Sequence, residues 1–163
     1  MAEGHSLNET LGLIRVVSTD AEGHASLEYE AKREQCHSGG VVQGGFVTGW
    51  IDAAMARAAM AATNFEMTPM TLEIKVSFFA PAMPGLLVAE AWIERKGRST
   101  IFLEGNLKNA EGAVVAIVLL EQASHRRHNI VCVLVASHRG GLRVHLISII
   151  IVVENIVVEH MVK

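Results

Sequence analysis

The chain has 163 residues, half of them hydrophobic and 19% charged, with a formal net charge of −3. That length suffices for one domain with a real core, and so apolar a composition excludes a disordered chain. With a pI near 6.2 and a positive mean hydropathy, there is no electrostatic case for nucleic acid as the main partner.

The first residues, MAEGHSLNETLGL, carry Glu3 and Glu9 and no basic region followed by an apolar run, so a secretory signal is not expected. No stretch of eighteen uncharged apolar residues occurs, and no membrane span is expected. Cys36 and Cys132 are too few for a disulfide framework and lack metal-ligand spacing. They read as free thiols of a cytoplasmic protein.

Residues 11–19, LGLIRVVST, and 24–32, HASLEYEAK, read as strands around the polar turn Asp20-Ala21-Glu22-Gly23. The second alternates, with Ala25, Leu27, Tyr29 and Ala31 on one side. A glycine-rich loop is expected at 38–45. Residues 46–63, FVTGWIDAAMARAAMAAT, are the one long helix expected, rich in alanine and methionine. The period then returns to two. In 70–80, MTLEIKVSFFA, Leu72, Ile74, Val76 and Phe78 share a side, and Pro81 and Pro84-Gly85 mark a turn. Residues 86–95 and 99–108 read as strands around Lys96-Gly97-Arg98. Asn109-Ala110-Glu111-Gly112 is a hairpin signal before a last strand at 113–122. Two strands, one helix and four strands argue α+β: an antiparallel sheet on a single helix.

Residues 126–163 mix His and Arg with Val and Ile and follow a different grammar. Leu146 to Val153 reads as a strand or an aggregation-prone run. A basic, apolar tail also suits a membrane or partner contact, and an appended segment without a separate function is the simpler reading. No internal repeats are present.

The chemistry concentrates in residues 36–55, CHSGGVVQGGFVTGWIDAAM, whose first ten residues hold four glycines. A glycine-rich loop entering a helix exposes backbone N–H groups, which with the helix dipole form an anion or oxyanion site. Acyl transfer needs such a site where a carbonyl oxygen gains charge. Asp52 lies seven residues beyond Gly45 in an apolar, alanine-rich run, about two turns in. It is either a solvated charge favoured near a helix start or a carboxylate aimed into a cavity. The glycines equally suit a tight loop and close helix packing, and His37 reads as an ordinary loop residue. Phe46, Trp50 and Met55 read as core.

The run 37–54, HSGGVVQGGFVTGWIDAA, resembles the signature of hotdog-fold acyl-CoA thioesterases of the PaaI type. That signature is roughly Asn-x-x-Gly-x-x-His-Gly-Gly, with an acidic residue seven positions after the last glycine. Residues 71–85 and 94–116 resemble the family's later strands and Pro-containing turn. The resemblance covers about 8–122. It implies a hotdog domain at 8–124, an antiparallel sheet wrapped around one central helix, with 125–163 an atypical C-terminal extension of unknown role. It implies a homodimer or homotetramer with active sites shared between subunits, and no metal or cofactor. On this resemblance, the Gly44 N–H is the oxyanion donor. Asp52, from the opposite subunit, is general base or nucleophile. Thr71 helps hold the attacking water. Gly45, Phe79, Lys96, Gly97 and Arg98 contact substrate, the last three at the CoA moiety, although a solvated turn explains those three equally. Gln43 stands where the family usually has histidine, and can donate a hydrogen bond but not take a proton. His37 stands where it usually has asparagine, and could orient water or the thioester.

The expected activity is hydrolysis of an acyl-CoA to a free acid and CoA. A non-catalytic acyl-CoA-binding hotdog module is the alternative, and Asp52 is the residue a hydrolase needs and a sensor does not. A hotdog dehydratase would need a His and a separate acid that are not found at matching positions.

Overall fold

The computed structural model describes residues 7–125. The expectations for 126–163 fall outside the described residues. A short helix, α1 (Leu7–Leu11), opens the fold and is followed by β1 (Leu13–Thr19) and β2 (His24–Ala31), a 3-10 turn (Arg33–Gln35), α2 (Gly44–Ala61), and then β3 (Thr68–Phe78), β4 (Gly85–Lys96), β5 (Thr100–Asn109) and β6 (Val114–His125). The six strands form one antiparallel sheet in the order β1-β2-β4-β5-β6-β3, and α2 touches every strand.

The alternation in β2 does what it predicts: Ala25, Leu27, Tyr29 and Ala31 are all buried beneath α2. The helix approaches closely because the sheet is shallow under it. Ala25, Ala91 and Gly105 lie side by side on β2, β4 and β5. A methyl group on Gly105 would sit 2.8 Å from Ile51 Cγ2 and 2.9 Å from the Glu90 carbonyl oxygen. On the helix, Trp50, Ile51, Ala54, Met55 and Ala58 are fully buried against this trough. Each large side chain among them contributes about 1.5–3 kcal/mol of apolar burial. Tyr29 and Trp50 pack with ring centroids 5.9 Å apart. The Tyr29 hydroxyl has no partner among the described residues, and burial pushes its pKa up.

Three local expectations change. The residues before β1 form a helical turn, held because Trp50 Nε1 donates to the Leu11 carbonyl at 2.7 Å. The long helix starts at Gly44, so the second glycine pair is the first turn of α2 and not loop. In β3 the alternation is broken by an irregularity between Thr71 and Glu73. Ile74 and Val76 pack on the core, while Phe78 ends the strand about half exposed. Among the described residues no helix is long and apolar enough to cross a membrane.

Candidate active site

The segment before α2 is held from both sides. Cys36 and Val42 form an isolated antiparallel bridge. The Val42 N–H donates to Ala82 O and the Gln43 N–H to Gln35 O, both at 2.9 Å. Gln35 is itself buried, its amide accepting from the Lys32 N–H and donating to Thr10 O. Between the bridge residues the chain turns tightly, with Gly40 at φ 75°. His37 is part of that turn: its Nδ1 accepts from the Gly39 N–H at 3.0 Å, and the ring is exposed.

This bracing sets Gln43 as the N-cap of α2, at φ −65° and ψ 134°, where its Oε1 accepts from the Gly45 N–H at 2.7 Å. The Phe46 N–H donates to Gln43 O. Of the first N–H groups of α2, that of Gly44 has no partner among the described residues. It carries the positive end of the helix dipole into a site that no side chain of Gly44 obstructs. A Cβ there would lie 3.2 Å from Phe78 Cζ, so the Phe78 ring borders the free N–H. The Gly45 N–H is committed to the cap, and the Gln43 amide nitrogen remains available as a donor.

Asp52 sits half-buried on α2. Its Oδ1 accepts a 2.8 Å hydrogen bond from Thr71 Oγ1 on β3. A hydroxyl that donates to Asp52 keeps its lone pairs free to accept from a water. Asp52 is eight residues beyond Gly44, about 12 Å along the axis at 1.5 Å per residue. Within one chain, the free N–H and the carboxylate therefore do not converge on one small group.

The turn at Lys96, Gly97 and Arg98 lies at the other end of α2. Lys96 Nζ donates to Ala62 O at 2.6 Å, capping the helix's C-terminal carbonyls. That is about 27 Å along the axis from Gly44. The Gly97 N–H closes the hairpin onto Thr100 O, and Arg98 is exposed. Phe79 is exposed and its backbone pairs with Val115. The aromatic ring against Gly44 is Phe78, which the sequence reading did not single out for the site. The signal was present: Phe78 shares its strand face with Ile74 and Val76, the face that meets the helix. Gln35 had no such signal. Among the described residues no group of three or more His, Cys, Asp or Glu side chains could hold a metal ion.

The chain and its fold have known relatives. The model of the thioesterase superfamily matches residues 39–116. A Saccharolobus solfataricus protein named as a candidate esterase is 32% identical over 103 residues, covering 63% of this chain and 72% of that one. The chain belongs to the thioesterase superfamily. Its fold is the hotdog fold of that superfamily. A Ralstonia eutropha structure described as a candidate thioesterase related to phenylacetic acid degradation aligns with TM-score 0.67 and 28% identity, over 75% of this chain and 93% of that one. The E. coli PaaI protein, from a phenylacetic acid degradation operon, aligns with TM-score 0.67 over 76% of this chain and 86% of that one. At 20% identity it speaks for the fold alone. The superfamily's matched span contains the Gln43-Gly44-Gly45 cap, Asp52, Thr71 and Phe78 together.

Proposed function

We propose that this thioesterase-superfamily chain hydrolyses acyl-CoA thioesters to a free carboxylic acid and CoA, in a homo-oligomer whose active sites are each built from two copies. The observation that carries the reading is the free Gly44 N–H at the start of α2, about 12 Å from its own Asp52. A thioester oxygen bound at about 3 Å from the N–H puts its carbonyl carbon out of reach of the same chain's carboxylate. The Asp52 and Thr71 of a second copy then supply the other half.

In that site the carbonyl oxygen accepts from the Gly44 N–H, with the Gln43 amide nitrogen as a second donor. Water, held by Thr71 Oγ1, attacks the carbonyl carbon while Asp52 takes its proton. The oxyanion that forms is stabilised by the helix N-terminus. Collapse expels CoA sulfur, which leaves with the proton, and the acid is released. Asp52 acting directly on the carbonyl as nucleophile is the alternative course. His37 in the loop before α2, Gly45 in the helix's first turn and the exposed Phe79 are the further groups assigned to substrate. Lys96, Gly97 and Arg98 would meet CoA phosphates only from another chain of the assembly, since they lie at the far end of α2 from their own Gly44. The catalytic unit is residues 8–124, working in the cytoplasm.

The test is free-thiol release from short, medium, long and aromatic acyl-CoAs by the wild type, Asp52→Ala and Asp52→Asn. Turnover of at least one substrate, with both variants reduced about a hundredfold or more, is the expected result. Acyl-CoA binding without turnover, equal in all three proteins, would leave the binding-module reading in its place.

A further inference from the structure

One aromatic ring beside the start of α2 has no part in the chemistry assigned above. Phe78 ends β3 on the helix side of the sheet, opposite the small, buried Ala116 of β6. Its ring points tip-first at Gly44: a Cβ on that glycine would lie 3.2 Å from Cζ, 3.5 Å from Cε1 and 3.9 Å from Cε2. Two bonds of about 1.5 Å separate a Cβ from the backbone nitrogen, so the ring tip lies within about 6 Å of the free N–H. The backbone there is held from both sides. The Phe79 and Ala80 N–H groups donate to Val115 O, and Ala82 O accepts from the Val42 N–H in the loop before Gly44. The Phe78 ring is nevertheless 54% exposed, and in the same segment Phe79 and Met83 are 63% and 53% exposed. Clustered exposed apolar side chains mark binding surfaces. From Phe78 to Pro84, FFAPAMP, no side chain is polar or charged.

We propose that Phe78 is the acyl-selecting residue of this site: its ring covers the acyl group of the bound thioester, so that the chain prefers a longer apolar acyl group to acetyl. The inference rests on the thioesterase reading and names its substrate class. A carbonyl oxygen accepting from the Gly44 N–H at about 3 Å brings the carbonyl carbon and the first carbons beyond it within contact distance of the ring tip, about 4 Å. Of the two substituents on the thioester carbon, only one suits this segment. The sulfur leads to the amides and phosphates of CoA, which need hydrogen-bonding groups and cations. The side chains of FFAPAMP offer neither. The acyl group is the apolar substituent, and it is the one the ring can cover. An acetyl methyl is too short to cover much of the ring, whereas each further methylene laid against it removes apolar surface from water. That contact is the same before and during the chemical step, so it acts on KM and not on kcat. Phe78 and Gly44 belong to one copy. The copy that polarises the carbonyl therefore also selects the acyl group, while the other copy supplies Asp52 and Thr71.

The test measures thiol release from acetyl-CoA and hexanoyl-CoA by the full chain, Phe78→Ala and Phe78→Leu, with the solution mass of each protein by sedimentation equilibrium. The wild type is expected to have the higher kcat/KM on hexanoyl-CoA. Phe78→Ala is expected to lower the hexanoyl-to-acetyl ratio of kcat/KM about five- to tenfold, the effect of covering the exposed half of one phenylalanine ring, and to do so through the KM for hexanoyl-CoA. Phe78→Leu keeps apolar bulk at the strand end but stops two bonds short of Cζ. Its ratio is expected to fall between the other two, and it carries the test if the alanine variant does not fold. Wild-type preference for acetyl-CoA, or an unchanged ratio in a folded variant, overturns the inference and leaves the thioesterase reading standing. Absence of wild-type turnover on every acyl-CoA overturns that reading and the inference with it. A variant of lower mass that loses activity equally on both substrates would mean that a second copy covers the ring, and that result also overturns the inference.

Discussion

Gly44→Pro isolates the proposed oxyanion donor better than any side-chain deletion. Proline inside a helix costs about 3 kcal/mol because it removes a backbone bond and clashes with the preceding turn. Gly44 is the first residue of α2, where the N–H has no intrahelical partner and proline is favoured. Proline also requires the residue before it to be extended, and Gln43 already is, at φ −65° and ψ 134°. The cap from Gln43 Oε1 to the Gly45 N–H is untouched. The nearest obstacle is the Phe78 ring, 3.2 Å from a Cβ at this position, and that ring is 54% exposed and free to rotate. The substitution replaces the N–H hydrogen with the ring Cδ, so it both removes the donor and fills the place where the carbonyl oxygen would sit. Loss of one oxyanion donor lowers kcat by about 10²–10³, or about 2.7–4 kcal/mol. The expected result is that loss in thiol release, with a melting temperature close to wild type. Gly44→Ala, which keeps the N–H, should retain most of the activity. Wild-type turnover by a folded Gly44→Pro protein would exclude this N–H as the donor. Destabilisation of about 3 kcal/mol, the cost of an interior proline, would mean that the N–H is engaged in the folded chain.

Thr71→Val removes the hydroxyl that donates to Asp52. Taking the low end of a charge-assisted bond, about 1.5 kcal/mol at this exposed position, kcat should fall about tenfold; Thr71→Ser should restore it, and adding Thr71→Val to Asp52→Ala should cost nothing more. Gly105→Ala should destabilise by about 1–3 kcal/mol in urea unfolding, because a rigid carbonyl at 2.9 Å and Ile51 at 2.8 Å leave the methyl group no room; unchanged stability would contradict the helix's close seat on the sheet. The Asp20 carboxyl is held below its ordinary 3.8, chiefly by the His24 backbone N–H. A depressed carboxyl contributes stability above its unfolded pKa and loses it as pH falls through the lower folded value, so Asp20→Ala should flatten the acid side of the stability curve below about pH 4 and leave the neutral region's pH dependence unchanged.

Much of the fold is written locally. The two-residue period of Ala25, Leu27, Tyr29 and Ala31 is enough to say which side of β2 is buried, and Asn109-Ala110-Glu111-Gly112 is enough to place a hairpin. The alanine-rich run after the glycines is recognisably the one helix, and counting residues sets Asp52 two turns into it. Those features depend on neighbours in sequence: rotation per residue, turn geometry and propensity. The glycine pair was harder to place, because glycine is a poor helix former and only the bracing of Gln43 by Gln35, with Val42 held by Ala82, brings α2 back to Gly44.

What the tertiary structure alone decided is which distant residues meet. Strand order β1-β2-β4-β5-β6-β3 puts β3 beside β6, and that pairing carries Thr71 to Asp52 and Phe78 to Gly44. It also swings the Lys96 turn to the C-terminal end of α2, where Nζ caps Ala62 and not the glycine end of the helix. An alternating strand reports its own two faces but not its partner or its register. These are set by burial summed over the whole sheet and helix, and a slip of one residue would turn each face inside out.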